Sequence, residues 1–67
     1  MKLTLRQWRG AKELTQKEMS EKLGVHINTY QKWEEKPENV KIKDAKSISE
    51  VFGVPIDDID FTAATAR

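Results

Sequence analysis

Asn28 and Lys32 stand four residues apart in the stretch HINTYQKWEE, with Tyr30 and Trp33 interleaved. On a helix that spacing puts the amide and the ammonium on one face and the two rings on another. An Asn side chain offers a donor beside an acceptor, enough for a bidentate bond to an adenine edge. A Lys offers cationic donors suited to O6 and N7 of guanine, and Ile27 can pack on a thymine methyl. This is the chemistry of recognition, not of bond breaking. Elsewhere the chain carries no paired carboxylates, nucleophile–base set, metal cluster or glycine-rich phosphate loop. Asp57 and Asp58 are adjacent and suit the start of a short helix better than catalysis, and His26 has neither a second His nor a Cys to share a metal. No enzyme activity, cofactor, metal or small-molecule ligand is expected. Taken singly, surface Asn, Gln and Lys are most often merely solvated, so the elements that carry them matter.

Those elements are short helices. Thr4 with Gln7, and Thr15 with Glu18, have capping-box spacing, while Leu3 with Trp8 and Leu14 with Met19 have that of hydrophobic staples. They predict helices at about 5–12 and 16–23, the second ending at Gly24. A third helix, about 27–35, follows, with Tyr30 and Trp33 on its inner side and Pro37 beyond its end. Its start is open between two caps: Asn28, intrinsically better and followed by Gln31, or His26, directly after the turn. Ile42, Ala45, Ile48 and Phe52 share one face of a fourth helix at 42–52, with Gly53 past its end. PIDDI predicts a short fifth helix, with Pro55 near its first position. The fold class is all-α, a compact five-helix domain over residues 1–60, with 61–67 a mobile tail. Trp8, Tyr30, Trp33 and Phe52 are expected in the core.

Composition is consistent with this. Sixty-seven residues make one small domain, without cysteines to staple it. No apolar run approaches the length needed to span a membrane, and the N-terminus turns charged at once. A soluble protein of the reducing cytoplasm, in a bacterial cell or a phage-infected host, is the simplest reading. The net charge is only +1, yet it is unevenly spread. Residues 1–36 hold eight Lys/Arg against five Asp/Glu, net +3, and residues 37–67 hold four against six, net −2.

The stretch LTQKEMSEKLGVHINTYQKWE resembles the helix-turn-helix of the phage repressor/Cro family of DNA-binding proteins, regulators with a lambda-repressor-like fold. The similarity includes Arg9 in the first helix, Gln16 opening the second, Gly24 in the joint and Trp33–Glu34; SISEVFGVPIDDI resembles the family's fourth and fifth helices. It covers about residues 3–60. The resemblance implies a transcriptional regulator, a repressor by expectation, that binds double-stranded DNA as a homodimer on a pseudo-palindromic operator. The third helix would enter the major groove. It favours His26 as the cap, which frees Asn28 for the groove, and so assigns base readout to His26, Ile27, Asn28 and Lys32. Phosphate contacts fall to Gln16, Lys17, Thr29 and Lys36; free N–H groups at a helix start suit Gln16 to an anion on physical grounds as well. Arg9 and Glu34 are implied to form a structural salt bridge.

The chain departs from the family pattern at three positions. Ser20 stands where Ala is usual, small enough for the joint between the second and third helices. Glu13 and Lys36 stand where Gly is common, so each either accepts a positive φ or belongs to a turn of another shape. A second function class stays open. The near-neutral charge and acidic second half also fit a protein-interaction module of the same fold, such as an antitoxin-like partner. Ile56, Ile59 and Phe61 offer apolar surface either for a two-fold contact or for closing the monomer core.

Overall fold

Two threonines start the first two helices. In the computed structural model, which describes residues 2–62, Thr4 ends a two-residue strand β1 (Leu3–Thr4) and caps α1 (Leu5–Ala11). Its hydroxyl accepts from the Gln7 N–H at 3.2 Å, and the Gln7 side chain accepts from the Thr4 N–H at 2.9 Å. Thr15 repeats the reciprocal pair with Glu18, at 3.0 and 2.8 Å, and opens α2 (Gln16–Leu23). These boxes satisfy N–H groups that a helix start otherwise leaves to water.

The joint between α2 and α3 (Ile27–Glu35) turns on Gly24 at φ +70°, where a side chain would be strained. The Val25 N–H reaches back to the Ser20 carbonyl at 3.0 Å. Ser20 is buried in this joint, and its hydroxyl donates to the Lys17 carbonyl at 2.7 Å, so its polarity is satisfied. After a 3₁₀ turn at Pro37–Asn39 the chain enters α4 (Ile42–Phe52), which stops at Gly53.

Among the described residues there are four α-helices, not five. The expected fifth is a single 3₁₀ turn, Ile56–Asp58, after which the chain extends as β2 (Ile59–Asp60). β2 pairs in parallel with β1, Leu3 opposite Ile59 and Thr4 opposite Asp60. The reason is tertiary: Ile59 is 2% exposed, and extended backbone lets it face the core while its main chain pairs with β1. The fold remains all-α, because each strand has only two residues.

The core joins Leu5, Met19, Tyr30, Ile48, Phe52 and Ile59. Burying each large side chain contributes roughly 1.5–3 kcal/mol. Trp8 and Trp33 are half-buried against this cluster. The Trp8 ring stacks on Phe52 at 6.4 Å, and its indole N–H donates to the Asp58 carbonyl at 2.8 Å. One expectation for an apolar residue needs correction, and one open alternative is narrowed. Ile42 is 78% exposed; it begins α4 outside the core, and Val40 packs at the rim instead. Of the C-terminal trio, Ile59 and Phe61 pack in the monomer and Ile56 is left partly exposed. The tail expected at 61–67 lies outside the described residues from 63 onward.

The two Gly-like positions resolve differently. Glu13 takes φ +57°, a conformation that costs a side chain on the order of 1–2 kcal/mol. Lys36 has φ −134°, so the turn after α3 has another shape, set by the buried Pro37 that follows.

Candidate nucleic-acid interface

α3 begins at His26. Its Nδ1 accepts from the Asn28 N–H at 3.1 Å, with its backbone still extended at φ −67° and ψ 146°. Asn28 therefore lies within the first turn, and its side chain is exposed and free of bonds within the described chain. Lys32, one turn on, is exposed as well, as are Thr29 and Lys36; Ile27 is half-buried. His26 is exposed, but its ring is committed to the cap.

The opposite side of α3 is locked by one carboxylate. Glu34 accepts from Arg9 Nε at 2.6 Å and Nη2 at 3.3 Å, from the Tyr30 hydroxyl at 2.6 Å, and from Gln16 Nε2 at 2.9 Å. Arg9 Nη1 also donates to the Leu14 carbonyl at 3.0 Å, which ties α1 to the loop before α2. The side chains of Arg9 and Glu34 are 18% and 6% exposed. Burial alone would raise the Glu34 pKa, but the donated bonds from Arg9, Tyr30 and Gln16 outweigh it, and the carboxyl sits below its usual range. The bond to Glu34 raises the Arg9 pKa further. Burial, then the bond to Glu34, pushes the Tyr30 hydroxyl well up, so it remains a donor. A carboxylate with this many donors is both ionised and held in place.

Gln16 belongs to this network. Besides donating to Glu34, its Oε1 accepts from Gln31 Nε2 at 3.1 Å. One N–H of its amide is thus used, a second remains, and the main-chain N–H groups of Gln16 and Lys17 lack partners within the helix. Lys17 is exposed beside them. The Tyr30–Glu34 bond has a signal in the sequence, the i, i+4 spacing of the two residues, whereas Gln31 meets Gln16 across 15 residues and has none.

Two grooves flank α3. A polar one, about 620 Å³, is lined by Arg6, Arg9, Gln16, Gln31, Glu34 and Glu35. A more apolar one, about 450 Å³, lies toward the Pro37–Asn39 turn and is lined by Thr29, Lys32, Trp33, Glu35, Lys36 and Asn39. The structure thus gathers Thr29, Lys32 and Lys36 at one groove, whereas Gln16 lies at the other. Among the described residues no group of three or more His, Cys, Asp or Glu is placed to hold a metal ion, and no helix is long and apolar enough to cross a membrane.

A helix-turn-helix family model matches residues 5–59. No curated protein and no solved structure matches the chain.

Proposed function

The chain belongs to the helix-turn-helix family of DNA-binding regulators, of the phage repressor/Cro type, and from that premise we propose that it is a sequence-specific repressor. α3 enters the major groove and the start of α2 rests on the phosphate backbone. One observation carries the reading: α3 is locked on its inner side by Tyr30 and the Glu34 network, while Asn28 and Lys32 stand exposed on its outer side. A helix held in this way presents its polar face without having to order it on binding.

Asn28, Lys32 and Ile27 read base edges, with His26 at the leading end. Lys17, Thr29 and Lys36, together with the second amide N–H of Gln16, meet phosphates. A homodimer spaces two copies of α3 by about 34 Å on a pseudo-palindromic site. Because Ile59 is buried in the monomer, the exposed part of Ile56 rather than Ile59 is available to such a contact.

Binding-site selection tests the reading. Asn28→Ala should cost about 1–3 kcal/mol on the preferred site, much less on random DNA, and relax the preference at one or two base pairs in each half-site. Gln16→Ala should weaken binding to every sequence by a similar factor. An Asn28→Ala selection that returns the parental preference removes Asn28 from the reading face. Specific binding should also weaken with salt, as lysines displace counterions. Affinity that stays flat between low and physiological salt would instead favour a protein ligand.

A further inference from the structure

The chain's two tryptophans differ in one respect. The Trp8 N–H is satisfied by the Asp58 carbonyl at 2.8 Å. The Trp33 indole is a donor with no acceptor among the described residues. No unpartnered polar side-chain atom in the described chain is sealed from solvent, so the Trp33 N–H opens to water although its ring is half-buried. The ring is also oriented, meeting Tyr30 edge-on at 6.4 Å and 75°. Here is an oriented donor, not sealed from solvent, that no acceptor among the described residues takes up.

We propose that Trp33 is a DNA-backbone contact: its N–H donates to a phosphate seated in the groove between α3 and the Pro37–Asn39 turn, and its ring supports the adjoining deoxyribose. The proposal rests on the DNA reading above and adds a residue to it. Thr29, Lys32, Trp33 and Lys36 follow the i, i+3, i+4, i+7 spacing of one stripe along α3. This stripe shares Lys32 with the Asn28–Lys32 face, so it runs along the edge of that face. When that face meets base edges, the neighbouring stripe meets the strand that walls the groove. The lining suits a phosphodiester: Lys36 beside it, Lys32 adding positive charge from the border of the reading face, one carboxylate, Glu35, and Thr29 and Asn39 as neutral donors. The exposed indole surface between them suits a sugar.

Trp33→Phe keeps a ring against Tyr30 and removes only the N–H and part of the surface. It should weaken binding to the preferred duplex and to random duplex alike, by about tenfold each, with an unchanged thermal midpoint. In the parent, the indole N–H signal of Trp33, assigned by its loss in the variant, should shift when duplex is added. The Trp8 signal should stay. Three results overturn the proposal: equal affinity in Trp33→Phe, a Trp33 signal that does not move as the parent binds, or a loss confined to the preferred sequence. A loss of affinity that tracks a lowered midpoint overturns it too, because the role is then packing. If the variant folds poorly, the parent signal is assigned instead through its contact with the Tyr30 ring, and the test stays decisive. Failure of the parent to bind any duplex instead defeats the DNA reading itself.

Discussion

Two places tie distant parts of this chain together, and they do so by opposite means. Around Glu34, a partly buried carboxylate gathers Arg9 from α1, Gln16 from α2 and Tyr30 from α3. At the other end, β1 and β2 join residues 3–4 to 59–60 through main-chain pairing, with Ile59 buried beside them. The first rests on charged, directional side-chain bonds; the second adds to its short main-chain ladder the burial of Ile59, whose apolar contribution is largely indifferent to direction. A buried ion pair is weak evidence of net stability, because desolvation offsets much of the attraction, but it defines how its partners are oriented. Buried aliphatic surface stabilises in proportion to its area. The comparison assigns orientation of α3 to the Glu34 network and cohesion of the domain to the strand pair.

The largest effect should come from breaking the network. Arg9→Ala leaves Glu34 buried without its main partner and should cost about 3–5 kcal/mol of stability in denaturant titration. Arg9→Met with Glu34→Leu should recover part of that loss, yet bind DNA less well than the parent, because Gln16 then keeps only its bond from Gln31 on α3. An Arg9→Ala protein as stable as the parent would show that the network ties nothing. Next comes Ile59→Ala, expected to lose about 2–5 kcal/mol through the cavity it leaves. Measured where that variant is still folded, its DNA affinity should equal the parent's. Weakened binding by the folded variant would erase the distinction between the two regions.

The smallest effect at neutral pH, and the sharpest discriminator, is acid sensitivity. The folded pKa of Glu34 is depressed, so its contribution to stability is present above the unfolded value, roughly 4.3, and is lost as pH falls through the folded value. Glu34→Gln should flatten the stability curve in that acid range, whereas Ile59→Ala should lower it without changing its slope. Asp60, in the strand pair, is also held low by bonds from Thr62, but it lies at the surface and should add little. Equal slopes for the parent and Glu34→Gln would remove Glu34 as the acid-sensitive group.

Legibility followed the range of the interactions. The helix spans were readable because Thr4, Thr15, Gly24 and Gly53 act on their own neighbours. The residues of α3 left its cap open between His26 and Asn28; resemblance favoured His26, and the bond from the Asn28 N–H places the cap there. Resemblance likewise implied the Arg9–Glu34 pair. The parts it did not supply, Gln16 and Gln31, are joined across 15 to 18 residues by amides that look like any solvated surface. β2 is illegible because PIDDI, which runs into it, has good helix-start chemistry, and two-residue strands leave no alternation to detect. Ile42 fitted the periodicity of α4 but lies beyond the body the helix packs on, which periodicity cannot measure.

The parallel pairing of β1 with β2 also sets an order of assembly. Arg9, Gln16, Tyr30 and Glu34 all belong to the first half of the chain, so a growing polypeptide can gather them while the rest is still being made. Leu3 and Thr4 must wait for Ile59 and Asp60. Closing so long a loop is an entropic cost met only at the last step. Nascent chains stalled before Ile59 should therefore leave the β1 amides open to solvent exchange while α2 and α3 are already protected; early protection at β1 would contradict this order. On this order the Glu34 network forms first, and the strand pair closes the domain when synthesis reaches Ile59 and Asp60.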